Sequence, residues 1–392
     1  MQIRLTAEQE ALCEQVRRFA EREVLPHERG AETDPDYGKQ LLHRLGKGRL
    51  LGLNLPEEYG GVGLPHLDAA LCIEEMGRHS LDAAGYMAAS SLGQAHYILS
   101  FGSEAHRRKY LPAICAGEYS VAIGITEPGA GTASTALTSR AVIRDGSIVI
   151  NGRKHYVSNV PNAGLFIIYA RTGTRAGAKG ICAVLVERNT PGFTVDRLSE
   201  NMAGHHQADL LFQDCTVPES QLLLGEGRFA DLTSCYNLER CGGTAAVLGT
   251  AIGAFDRALA YVQTRQQFGR DLVEFQAVQL KIANMAMQIQ AARLMLHHAL
   301  SESATEFPSP INSSMCKVFG NEVAKMVTDE SLQLFGGAGY LKESGIERRY
   351  RFVRGYSIAG GPLDIHRSMI AGWLTERRFS QWAPQPSHAD AS

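Results

Sequence analysis

Apolar residues recur at alternating steps of four and three through Leu248, Ile252, Phe255, Leu259 and Val262. The same steps run through Phe275, Val278, Ile282, Met285, Ile289, Ala292 and Leu296. Each set falls on one stripe of a helix, so the pattern predicts two long helices buried along that stripe. The first opens on Cys235–Gly243, with Glu239 and Arg240 side by side in its first turn or so, and ends before Phe268-Gly269. Two further helices are predicted near Asn312–Phe335 and Pro362–Arg377, which completes a bundle. At the other end of the chain, Thr6 and Gln9 have the spacing of a capping box before a stripe of Leu12, Val16 and Phe19. A second helix is predicted over Tyr37–Leu51. Packed helices follow from Leu67 to about Ser100, and a helical pattern from His106 stops at Pro112.

The period changes at Tyr119. Ala141–Ile143 and Ile148–Ile150 are short apolar runs joined through Asp145-Gly146, and Asn151-Gly152 follows at once; both dipeptides are hairpin turn signals. Leu165–Ala170, Ile181–Glu187, Phe193–Val195 and Asp209–Phe212 read as further strands. The expected fold class is therefore α+β. It comprises an N-terminal helical bundle (residues 1–118), a middle β-barrel or sandwich (119–228) and a C-terminal four-helix bundle (229–382). Residues 383–392 have no apolar periodicity and are expected to be a disordered tail.

Composition narrows the function classes. A chain of 392 residues exceeds a single core. The formal net charge of −2 carries no basic excess, so no nucleic-acid partner is expected. No apolar run reaches the ~20 residues of a membrane span, and the charged N-terminus has no export-signal core. A cytoplasmic protein without a membrane partner is the expectation. The eight cysteines stand singly, away from any His/Cys cluster at metal-ligand spacing. They read as small buried hydrophobes, and no metal is expected.

Four stretches carry candidate chemistry. In Ile125–Gly131, Thr126 offers a hydroxyl, and the glycines would let backbone N–H groups approach a phosphate or a ring carbonyl; the same residues would also make an ordinary turn. Strand alternation puts Tyr156 and Ser158 on one face with Val157 opposite, as a ligand wall or an edge strand. Arg265 with Phe268 suits a diphosphate and an aromatic ring, or simply ends a helix. Gln333–Tyr340 allows close backbone approach, or is a glycine cap. Glu239 by itself reads as an acid favoured by the dipole at a helix N-terminus.

Taken in order and spacing, these stretches resemble the acyl-CoA dehydrogenase family from Leu5 to about Arg377. The resemblance rests on "AIGITEPGAG", "NGRKHYVSN", "LLFQDCTVPESQLLLGEG", "YVQTRQQFGRDLVEFQAVQLKIANM", "LQLFGGAGY" and "IERRYRFVR". It implies a three-domain flavoprotein with FAD between the β domain and the C-terminal helices. Thr126 and Gly131 would approach the isoalloxazine or pyrophosphate, and Tyr156, Val157 and Ser158 would wall the ring, with Tyr156 where the family usually has Trp. Arg265, Phe268 and Gln276, with Gln333, Gly336 and Gly337, would reach the adenosine half across a subunit interface. A homotetramer or homodimer is therefore implied. Thr132, Asn237 and Arg240 match residues on the substrate side. The implied substrate is an acyl-CoA or an acyl group on a carrier protein, with an electron-transferring flavoprotein as acceptor.

The resemblance also displaces the base. Where many members read IYEGT, this chain has Ile358-Ala-Gly-Gly-Pro362, with Gly360 at the glutamate position. A branch that includes isovaleryl-CoA and long-chain acyl-CoA dehydrogenases carries its glutamate on the helix, directly before an arginine. Glu239-Arg240 matches that arrangement, which implies Glu239 as the α-proton base and FAD as hydride acceptor. Desulfinase or monooxygenase chemistry on the same fold stands as the alternative.

Overall fold

The computed structural model describes residues 4–173, 175–302, 305–377 and 379; the expected tail, 383–392, lies outside the described residues. Helix α1 (Ala7–Phe19) starts on the expected capping box. Gln9 N–H donates to the Thr6 hydroxyl, and the Gln9 side chain accepts from the Thr6 N–H. Helix α2 (Tyr37–Lys47) ends at Gly48 rather than running to Leu51, because Leu50, Leu51 and Leu53 turn back into the core. The long helical stretch expected next is three pieces, α3 (His66–His79), α4 (Leu81–Ser91) and α5 (Ala95–Phe101). Ser80 breaks the first from the second by capping α4 at the Ala83 N–H. Helix α6 (Glu104–Cys115) continues through Pro112 instead of stopping there. The proline removes one helical hydrogen bond, while buried Tyr110, Leu111 and Ile114 keep that turn packed.

Eight strands pair in one sheet among the described residues. They are β1 (Ser120–Gly124), β2 (Arg140–Arg144), β3 (Ser147–Ser158), β4 (Ala163–Arg171), β5 (Ile181–Glu187), β6 (Phe193–Glu200), β7 (His206–Pro218) and β8 (Leu222–Leu224). The order is β6-β7-β3-β2-β4-β5-β8, with β1 parallel beside β4. Asp145 (φ 50°) and Gly146 (φ 72°) make the expected hairpin between β2 and β3, since two left-handed residues match the strand twist. Asn151-Gly152 does not turn. β3 runs straight through it and takes up a bulge against β7. Gly152 is required there by close approach, because a Cβ on it would stand 2.2 Å from the Ser139 hydroxyl. Strand β4 is buried on both faces, as a continuous apolar run predicts. Leu165, Ile167 and Tyr169 pack toward the N-terminal helices, while Phe166, Ile168 and Ala170 pack toward β3 and β7.

The C-terminal part has five helices among the described residues, not four: α7 (Phe229–Val262), α8 (Gln276–Ser301), α9 (Pro310–Phe335), α10 (Ile346–Tyr356) and α11 (Leu363–Leu374). Helix α10 buries Arg348 and Arg349 alongside Ile346, Phe352 and Val353, which interrupts its apolar stripe. The Arg349 guanidinium donates to the carbonyls of Gly77, Arg78, His79 and Thr250. Arg348 grips Asp82 of α4 in a two-pronged ion pair at 2.9 and 3.0 Å, and His205 from the β6–β7 loop meets the same carboxylate at 2.5 Å. Those contacts tie all three parts together. Helix α7 is buried all round from Thr244 to Ala254, not along one stripe, because α3, α4, α9 and α10 surround it. It is long and apolar enough to cross a membrane, but its most apolar stretch is 67% buried inside the protein.

Candidate active site

Helix α7 begins at Phe229, ahead of the expected Cys235, so Glu239 lies well inside the helix. The dipole explanation for that carboxylate therefore falls away, because the effect fades beyond the first turn. What surrounds Glu239 is a tyrosine-rich wall with few hydrogen-bond donors. Gln94, just past α4, donates to one carboxylate oxygen at 3.3 Å, and the other oxygen is buried without a partner. The Tyr97, Tyr169, Tyr236, Tyr356 and Cys235 side chains all feel its charge. Burial pushes the Glu239 pKa up to about 7, against the opposing pull of the Lys317 and Arg240 charges. A carboxylate held near neutrality can both take and give a proton at physiological pH.

Arg240, the next residue, points elsewhere. Its Nη1 donates to the Asn237 side-chain oxygen at 2.7 Å, which also accepts from the Ser313 hydroxyl at 3.4 Å. The Arg240 Nε is buried without a partner. Asn237 also lines a cavity of about 510 Å³ between α5, α7 and the segment Thr305–Pro310. After α10, the Ser357–Pro362 loop presents Gly360 in a left-handed conformation (φ 64°). It carries no carboxylate to compete for the role of base.

The β-domain residues form a second group. A tight turn closes Glu127 onto Ala130, with backbone bonds of 3.1 and 3.0 Å. His155 N–H donates to the Thr126 carbonyl at 2.8 Å, which lays the turn along β3. Two residues that pattern reading missed hold this assembly. Buried Lys154 meets buried Glu127 at 2.6 Å, and Glu127 also accepts from the Thr138 and Ser139 N–H groups and the Thr138 hydroxyl. The signal available for Lys154 was its place among the inward positions of β3, where a charge demands a partner. A bulge between Lys154 and Val157 reverses the alternation. Val157 therefore points inward, while Tyr156 and Ser158 point out.

This face fits a flat, anionic cofactor. Tyr156 holds φ 56°, a strained conformation for a bulky residue, and the residue is 69% exposed. A Cβ on Gly129 or Gly131 would meet nothing within 4 Å, so the turn's outer side is open to a ligand. Thr132 is exposed beside it.

Arg265, Phe268 and Gln276, with Gln333, Gly336 and Gly337, form a third group. All six are exposed, Phe268 by 94%. Stacking of Tyr261 at the end of α7 on Phe335 at the end of α9 (4.4 Å between ring centres) brings the two halves to one end of the bundle.

Comparison with known proteins accounts for this arrangement. The N-terminal, middle and C-terminal domain profiles of the acyl-CoA dehydrogenases match residues 6–118, 122–215 and 227–375. A 3-sulfinopropanoyl-CoA desulfinase of Paraburkholderia xenovorans is 34% identical, the alignment covering 96% of this chain and 98% of the relative. An acyl-CoA dehydrogenase of Bacillus subtilis is 32% identical, over 94% and 98% of the two chains. The butyryl-CoA dehydrogenase structure from Megasphaera elsdenii superposes with a TM-score of 0.89 at 30% identity, covering 96% of this chain and 100% of the other. This chain belongs to the acyl-CoA dehydrogenase family, flavoprotein oxidoreductases that act on CH–CH bonds.

Proposed function

We propose that the protein dehydrogenates an acyl-CoA to its 2-enoyl form, with Glu239 removing the α-proton. The observation that carries this reading is the Glu239 carboxylate itself: buried, one oxygen unpartnered, and poised near neutrality. A protonated product of that pKa forms without a large penalty in such a site, and the ionised form has no hydrogen-bond network to surrender. FAD, when bound, supplies the two-electron acceptor for the β-hydride. Thr126, Gly131, Tyr156, Val157 and Ser158 would hold its ring and pyrophosphate. Arg265, Phe268, Gln276, Gln333, Gly336 and Gly337 would reach its adenosine half from a second copy of the chain. Their exposure in one chain supports a homodimer or homotetramer. Thr132, Asn237 and Arg240 are assigned to the substrate's carrier arm, and an electron-transferring flavoprotein to reoxidation.

The same reading takes residues 1–118, 119–228 and 229–382 as the three domains. The change from helix to strand after Cys115 and back to helix at Phe229 supports it. Eight free thiols support a reducing, cytoplasmic setting. The test is to mix purified holoprotein anaerobically with a panel of acyl-CoAs and acyl carrier proteins and follow flavin absorbance. Bleaching by an acyl-CoA is expected. Bleaching only by carrier-protein thioesters would move the substrate class, and sulfite release from a sulfinyl-CoA without bleaching would replace dehydrogenation by desulfination.

A further inference from the structure

The Ser357–Pro362 loop is gripped at two successive carbonyls, one from α9 and one from α11. Lys317, in the interior of α9 and only 4% exposed, donates its ammonium to the Ala359 carbonyl. His366 lies within hydrogen-bonding distance of the Gly360 carbonyl (3.2 Å) through Nε2 and of the Ser314 hydroxyl (3.1 Å) through Nδ1. Gly360 has φ 64°, and a Cβ built on it would stand 3.0 Å from the Lys317 ammonium. Any side chain at residue 360 would therefore meet both an unfavourable backbone conformation and an occupied space. The ammonium stands where a loop-borne side chain would begin.

We propose that Lys317 is a positioning residue for proton abstraction: it holds the Ser357–Pro362 loop in place and presents its ammonium to Glu239. This rests on the reading of Glu239 as base. The groups facing Glu239 are Lys317 from α9, Arg240, Tyr236 and Cys235 from α7, Tyr97 from α5, Tyr169 from β4 and Tyr356 from α10. Those facing Lys317 are Arg240, Glu239 and Cys316, and His366 also feels its charge. Burial, with Arg240 adding to it, pushes the Lys317 pKa down to about 8, while Glu239 pulls it back. Lys317 is thus the strongest charge opposing burial at Glu239 and comes from another helix. The arrangement couples the loop, the lysine and the carboxylate in one assembly.

The sign follows directly. A cation near a carboxylate favours the ionised form, so removing it raises the Glu239 pKa. The acidic limb of the kcat/KM profile must then move to higher pH, by on the order of one unit. Lys317→Met, FAD-loaded, is expected to show that shift, and Lys317→Arg to restore most of it. Gly360→Ala, which keeps every charge but crowds the ammonium, is expected to move the limb as well. An acidic limb unmoved in folded, FAD-bound Lys317→Met overturns the proposal. If the lysine variants do not fold, an unmoved limb in Gly360→Ala overturns it. Glu239→Gln separates this from the underlying reading: turnover retained there removes Glu239 as base, whereas turnover lost there with an unmoved limb in Lys317→Met removes only the role of Lys317.

Discussion

Two buried glutamates sit in different walls of this fold and have been given opposite surroundings. Glu127, in the turn after β1, has a lysine at 2.6 Å and three further donors from Thr138 and Ser139. Burial disfavours its charge, but the Lys154 ammonium and those donors outweigh it and hold the pKa near about 2. Glu239 has one weak donor, an unpartnered oxygen and tyrosines around it, and burial takes its pKa to about 7 although the Lys317 and Arg240 charges oppose it. The lesson is that burial alone does not mark a catalytic carboxylate. In this pair the satisfied acid is architecture, and the under-satisfied one, set beside the substrate-side residues, is a reagent that the fold keeps available.

The comparison can be broken at its structural end first. Glu127→Gln should cost about 3–5 kcal/mol, because it leaves buried Lys154 without its counter-charge. Denaturant unfolding reads the loss, and the loosened Thr126 turn should also release FAD. A cost below about 1 kcal/mol would show that the pair does not hold the turn.

A smaller effect separates the two acids by pH. The folded pKa of Glu127 lies below the ordinary 4.5, so its contribution is present above about 4.5 and lost as pH falls toward about 2. The folded pKa of Glu239 lies above 4.5, so its contribution is full below 4.5 and lost as pH rises through about 7. Relative to Glu239→Gln, the wild type should therefore lose stability between about pH 4.5 and 7. Glu239→Gln should remove that decline, making the variant the more stable protein there. Equal slopes in denaturation midpoints across this range would contradict the assignment.

The smallest effect concerns Tyr156. Relieving its left-handed backbone with Tyr156→Gly should raise the stability of the cofactor-free protein by about 1 kcal/mol. The same change should weaken FAD binding, since the ring is exposed and packs little against the protein. Thermal unfolding with and without FAD reads both signs, and loss of stability without FAD would show that the ring is a packing residue.

Much of this was readable from pattern. Helix and strand periods placed the three parts, and the Asp145-Gly146 hairpin formed where two left-handed residues were predicted. Other features depend on tertiary partners. The first turns of α7 pack Phe229, Leu232, Cys235 and Tyr236 against a different cluster from the bundle stripe, so the stripe alone puts Glu239 at a helix start rather than inside one. Asn151-Gly152 has the composition of a turn, but the hydroxyl of Ser139 on a neighbouring segment claims the space beside Gly152 and keeps the strand extended. Helix α10 hides its packing side because it buries Arg348 and Arg349 among Ile346, Phe352 and Val353. The Glu127–Lys154 and Lys317–Ala359 pairs join residues far apart in sequence, and no local period encodes them.

The central claim is that Glu239 is the α-proton base. Glu239→Gln holoprotein, mixed anaerobically with the acyl-CoA that bleaches the wild type, tests it most directly. The prediction is FAD retained at full occupancy and flavin reduction slowed by about 10²–10⁴-fold. Reduction at the wild-type rate would contradict it.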